Sequence, residues 1–70
     1  MTFEEYCKYV ENTYMPAHPL ERKGQAYWNV LEDKKISIAR DLWSCLCDPF
    51  YQDAYLDMFL AHVALLWARE

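Results

Sequence analysis

One glycine and three prolines in 70 residues leave little of this chain for flexible loops. A hydrophobic fraction of 54% is likewise far above that of a chain that stays disordered. A single glycine excludes a glycine-rich phosphate loop, where several glycines let backbone amides approach the phosphates. The cysteines Cys7, Cys45 and Cys47 are odd in number and follow no disulfide framework. The first residues, Met1-Thr2-Phe3-Glu4-Glu5, lack the basic stretch and apolar core of a signal peptide. The longest mostly apolar run, Met58 to Ala68, contains His62 and is about half the roughly twenty residues of a membrane span. These absences predict one domain in a reducing cytoplasm, with no membrane partner.

Motifs for chemistry are equally sparse. Cys45-x-Cys47 with His18 or His62 does not reproduce the paired spacings of structural zinc sites, so no metal or cofactor is expected. His62, amid apolar neighbours, reads as a semi-buried histidine with its hydrogen bonds met. Asp53 and Asp57 lie one helical turn apart, and a solvated helix start accounts for them. No strand-turn-helix context surrounds a candidate nucleophile. The sequence reading is therefore a non-enzyme.

What the chain does have is helical periodicity and aromatic surface. Thr2-Phe3-Glu4-Glu5 forms a capping box, and Phe3, Tyr6, Cys7, Val10 and Tyr14 follow as one apolar stripe. Met15-Pro16-Ala17-His18-Pro19 is expected to end this first helix. A second helix is predicted from Leu20 or Glu21 to Leu31 or Glu32, with Leu20, Gly24, Tyr27, Trp28 and Leu31 on one side. Gly24 there implies close approach of another element, or a frayed start. Asp33 is expected to cap a third, central helix, with Ile38, Leu42 and Cys45 in one row and Ile36, Ala39 and Trp43 in the next. Asp48-Pro49, or alternatively Asp53, signals the start of a fourth. In it, Leu56, Phe59, Leu60, Val63, Leu66 and Trp67 form a broad stripe, and Tyr55, Met58, His62 and Leu65 form a second apolar row. A surface helix needs only one apolar face. The expected fold is all-α: a compact bundle of about four helices in a single domain, residues 1–70, with a long C-terminal helix as its post.

Charge is arranged in blocks within a net −4. Residues 1–21 have four acids and one base, residues 22–40 five bases and two acids, and residues 41–70 five acids and one base. The blocks can pair within the fold, or the acidic ends can steer the protein to a basic partner. Arg22, Lys23, Lys34, Lys35 and Arg40, with Tyr27 and Trp28 between them, are the right residue types for a nucleic-acid surface. The acidic total opposes that use. Twelve aromatics exceed what a 70-residue helical core needs. Tyr14, Tyr27, Trp28, Trp43, Tyr51, Tyr55 and Trp67 cannot all be interior, and Tyr and Trp are favoured anchors of protein interfaces.

Two segments add a resemblance. Gly24-Gln25-Ala26-Tyr27-Trp28-Asn29-Val30-Leu31, then Asp48-Pro49-Phe50-Tyr51-Gln52-Asp53 with Leu56, Phe59, Leu60 and Val63, resembles a pattern in small, mostly uncharacterised helical proteins of phages, prophages and bacterial mobile elements. It covers roughly residues 20–67. Trp43 to Cys47 departs from the polar, glycine-containing turn usual in those proteins. The resemblance implies a stoichiometric inhibitor of a host system, such as an anti-CRISPR or other anti-defence protein, acting in the host cytoplasm. Candidate partner-binding residues are Glu4, Glu5, Glu11, Asp53 and Asp57 for steering and Tyr14, Trp28, Tyr51 and Tyr55 for anchoring, with a host protein or nucleoprotein complex as partner. The alternatives are a self-associating subunit, a homodimer through Tyr55, Met58, His62 and Leu65, and a nucleic-acid-binding module.

Overall fold

Thr2 opens the first helix by accepting the Glu5 amide on Oγ1 at 3.1 Å, while Glu5 Oε1 accepts the Thr2 amide at 2.7 Å. The computed structural model describes residues 1–42 and 53–69, and over these every regular element is helical. Helix α1 (Phe3–Tyr9) runs on through a π-helical stretch, Val10–Tyr14, into a last turn, Met15–Ala17. It therefore ends within the predicted stop, Met15 to Pro19, with His18 as its C-cap. A proline ring clashes with the carbonyl four residues back, and the wider π turn just before Pro16 relieves that clash.

Helix α2 (Lys23–Lys34) begins later than predicted, with Gln25 Oε1 accepting the Arg22 amide at 3.0 Å. The delay removes Leu20 from its apolar side, and Leu20 is 99% exposed. Asp33 lies inside α2, and the residue that precedes the third helix is Lys35. Gly24 is buried in the first turn with helical backbone, so its missing side chain serves packing. One residue, Lys35, separates α2 from α3 (Ile36–Leu42). A 3₁₀ turn, Asp53–Tyr55, leads into α4 (Leu56–Ala68). The Asp48-Pro49 start signal and the outer parts of the α3 rows, Trp43 and Cys45, lie outside the described residues.

The post of the bundle is α2, a correction to the expectation that the C-terminal helix holds that place. It buries Gly24, Ala26, Tyr27, Trp28, Val30 and Leu31, whereas α4 buries Leu56, Phe59 and Val63. Being flanked by α1 on one side and the short α3 on the other is what lets α2 bury residues around most of its circumference. The core joins these to Tyr6 and Val10 of α1 and to Ile38, Ala39 and Leu42 of α3. Tyr6 stands edge-on to Tyr27 (5.7 Å between ring centres) and stacks on Trp67 (5.2 Å). Trp67 Nε1 donates to the Met1 carbonyl at 3.1 Å, which ties the start of α1 to the end of α4. The radius of gyration, 11.1 Å, is that of a compact chain of this length, about 11 Å.

The charge blocks meet through rings. Lys34 pairs with its neighbour Asp33 at 3.5 Å, and its ammonium also stands 5.2 Å from the centre of the Tyr9 ring. Lys35 stands 5.4 Å from that of Trp67. The basic middle of the chain is thus held to α1 and α4 by cation–π contacts, each of about 0.5–1 kcal/mol at exposed sites.

Phe59 is 1% exposed and packs 5.8 Å from Trp28. Phe59→Ala is expected to cost about 3–5 kcal/mol, a large part of the stability of so small a domain. Met58→Ala, at a 55% exposed neighbour, is expected to change stability by no more than about 0.5 kcal/mol. Chemical denaturation followed by circular dichroism checks both.

Candidate interaction surface

Helix α4 has two apolar rows, and the bundle covers one of them. Leu56, Phe59 and Val63 face the core, with Leu60, Leu66 and Trp67 half-buried beside them. The second row lies outward: Tyr55 is 39%, Met58 55% and Leu65 63% exposed, and His62 is exposed between them. His62 is thus a surface residue, not the semi-buried histidine expected. Its Nδ1 lies 2.8 Å from the Met58 carbonyl one turn back, an arrangement that favours the tautomer with the proton on Nδ1. The periodicity explains why both rows cannot be interior. Residues at spacings of three and four share a face, and Met58 and Leu65 fall on a different face from Phe59 and Val63.

A shallow groove of about 420 Å³ flanks this row, between Asp41 and Leu42 at the end of α3 and His62, Leu65, Leu66 and Arg69 of α4. A second, of about 520 Å³, lies on the other flank against Phe3, Lys35, Ala64 and Trp67. The outward row is therefore a ridge between two depressions, the relief a helix from another chain can straddle.

Elsewhere the structure draws predicted contact residues inward. Trp28 is buried in the core, so it is no surface anchor. Tyr14 is half-buried; its hydroxyl donates to the Glu21 carboxylate at 3.1 Å, and its ring stacks on His18 at 4.0 Å. Asn29 Nδ2 donates to the same carboxylate at 2.9 Å, so Glu21 bridges the end of the α1 column to α2. Glu11 accepts the Tyr27 hydroxyl and is already partly engaged. Glu4, Asp57 and Tyr55 remain exposed, and Glu5 is exposed but occupied in the cap. Tyr51 and the side chain of Asp53 lie outside the described residues. Burial of Tyr27 and Trp28 also removes the stacking rings on which a nucleic-acid surface depended. Leu20 is fully exposed although its spacing to Gly24 is helical, because it lies just after Pro19 and ahead of the first residue of α2, Lys23.

The titratable groups of the interior are held neutral. Burial pushes the Tyr6 phenol well above its ordinary value, and burial with the hydrogen bond to Glu11 does the same for Tyr27. Burial, reinforced by the Glu11 charge, likewise raises the Cys7 thiol. That is opposite to the thiolate character of a reactive cysteine. At the surface, the Thr2 amide bonded to Glu5 lowers that carboxyl.

Both buried phenols have folded values above the ordinary 10.0. Their stabilising effect is therefore present below pH 10 and is lost as pH rises beyond it. In an alkaline titration followed by phenolate absorbance, two tyrosines are expected to ionise only together with loss of the circular dichroism signal. Free ionisation of every tyrosine before unfolding would contradict this. At the acid end, the lowered Glu5 carboxyl contributes stability above its ordinary value of 4.5 that is lost as pH falls through the lower folded value. Glu5→Gln is accordingly expected to flatten the acid limb of a stability–pH curve measured by thermal melting.

Compared with models of protein families, with curated proteins and with solved structures, the chain matches none.

Proposed function

We propose that this chain is a small non-catalytic protein-binding inhibitor or modulator, which works by occupying a surface of another protein in stoichiometric amount. The observation that carries the reading is the outward row of α4, where Tyr55, Met58 and Leu65 stand in solvent on a rigid helix. Single exposed apolar residues are ordinary on protein surfaces, but a contiguous row rimmed by polar groups marks an interaction site. A tyrosine and a methionine suit such a site: one buries much area with few rotors, and the other adapts to an irregular partner. The exposed acids Glu4 and Asp57 would steer approach to a basic partner.

The resemblance to helical proteins of phages and mobile elements supports a narrower form of the proposal. In that form the chain is carried by such an element, acts in the host cytoplasm, and blocks a defence protein such as a CRISPR component. The cysteine pattern, which suits a reducing compartment, agrees with this placement. No helix among the described residues is long and apolar enough to cross a membrane.

The tagged chain and its Met58→Glu/Leu65→Glu variant are to be incubated with bacterial host lysate, and any retained protein then purified and mixed with each. The expected result is one host protein bound at fixed stoichiometry by the original chain and lost from the variant, which keeps its thermal melt. Retention by both chains, or by neither, overturns the reading.

A further inference from the structure

His62 stands in the middle of the outward row of α4, with Met58 one turn before it and Leu65 one turn after. Within that row it alone changes charge near neutral pH, since imidazole is the side chain that titrates between about pH 5 and 8. Its Nδ1 lies 2.8 Å from the Met58 carbonyl, a bond that the ring can donate whether neutral or charged. Nε2, on the far edge of the ring, is left as the atom that gains or loses the proton. The groups facing the ring are few. One turn away on α4 are Met58, Phe59, Leu65 and Leu66, none of them charged. Across the groove α3 contributes Asp41 and Leu42, and Arg69 lines it from the end of α4. Asp41 and Arg69 are exposed and opposite in sign, and among the described residues neither is joined to His62 by an ion pair or hydrogen bond.

Resting on the reading of that face as a docking surface, we infer that docking there is coupled to the proton on His62. An apolar surface of a partner protein covers the row while the ring is neutral, and it is released when the ring takes up a proton. A neutral imidazole enters an apolar contact with its Nδ1 proton already bonded inside the chain, so one acceptor atom is withdrawn from water. An imidazolium brings a whole charge out of water, which is far costlier. Protonation and docking therefore oppose each other.

The sign and the steepness follow from linkage. Burial disfavours the charged form, so contact strengthens as pH rises. A single proton limits the change to about tenfold in affinity per pH unit over the range in which the free ring is charged. Met58 and Leu65 supply the apolar area of the contact, and His62 sets the pH at which that area can be covered. A partner that placed a carboxylate against the ring would reverse the slope, because the pair would hold the proton.

Retention of the full chain on an uncharged phenyl matrix, at fixed salt and under reducing conditions, tests this with a probe that offers apolar contact alone. From about pH 5.5 to about pH 8 the carboxylates stay charged and the imidazoles are the side chains that mainly titrate. Retention of the original chain is expected to rise several-fold across that range. His62→Gln is expected to be retained equally at both ends, and His18→Gln to keep the rise, each with its thermal melt unchanged. Met58→Glu/Leu65→Glu is expected to lose most of its retention at every pH. Retention that is flat or falls with pH in the original chain, or that still rises in His62→Gln, overturns the inference. Retention that needs Met58 and Leu65 yet ignores pH leaves the docking reading standing without its proton coupling, whereas retention that ignores both residues removes the two together.

Discussion

The hydroxyl of Tyr6, fully buried between α1 and α2, donates to the carbonyl of Tyr27 at 2.7 Å, and the hydroxyl of Tyr27 in turn donates to Glu11. Two phenols thus enter the interior of a very small domain without leaving a polar atom unpaired. An unpaired hydroxyl there would cost roughly 1–3 kcal/mol, a sizeable fraction of the net stability of such a domain. No buried side-chain polar atom among the described residues lacks a partner. The two bonds admit little variation in how α1 lies on α2, since each hydroxyl must reach one acceptor. The rest of the arrangement follows from that docking. Tyr6 presents its ring to Trp67, Trp67 draws the end of α4 back to Met1 and Phe3, and α2 is left at the centre.

Placing α2 at the centre determines what becomes of α4. A domain of 70 residues buries only about 60% of the surface its extended chain exposes, so some apolar surface stays outside. Phe59 and Val63 fill the space beside Trp28 and Leu31, and turning α4 to hide Met58 and Leu65 would withdraw them. An aromatic ring and a β-branched side chain have fixed shapes that suit a close-packed core. A methionine and a leucine alternating with alanines form a flatter, more compliant strip. The row of fixed-shape side chains is inside, and the more compliant row stays outside.

Helix class, the Thr2–Glu5 capping box and both rows of α4 were legible in the sequence because each depends on residues within a turn or two of one another. The inward destination of Trp28 and Tyr14 was not. An aromatic excess shows that some rings lie at the surface, but which ones is decided by contacts between elements, such as Trp28 with Phe59 thirty-one positions later. Leu20 misled for a local reason: its spacing to Gly24 is helical, yet α2 starts only at Lys23, with the Gln25 side chain meeting the Arg22 amide. Apolar content does not measure burial, and so it does not mark the central helix. α4 is the more apolar helix, whereas α2 is the more enclosed. An apolar helix with an uncovered side is the combination that an interaction surface requires.

The exposed strip also bears on the choice between a stability device and a binding device. A helix face meant only for water does best with long charged residues, which favour helix, keep the chain soluble and form supporting pairs one turn apart. On α4 such residues stand near the ends of the strip, Asp57 and Arg69, and the stretch between them is alanine, methionine, histidine and leucine. Alanine alone would satisfy helix propensity, but Met58 and Leu65 add nothing to it and lose by standing in water. Met58 and Leu65 are exposed at 55% and 63% because, among the described residues, the bundle has no further element to set against that side of α4.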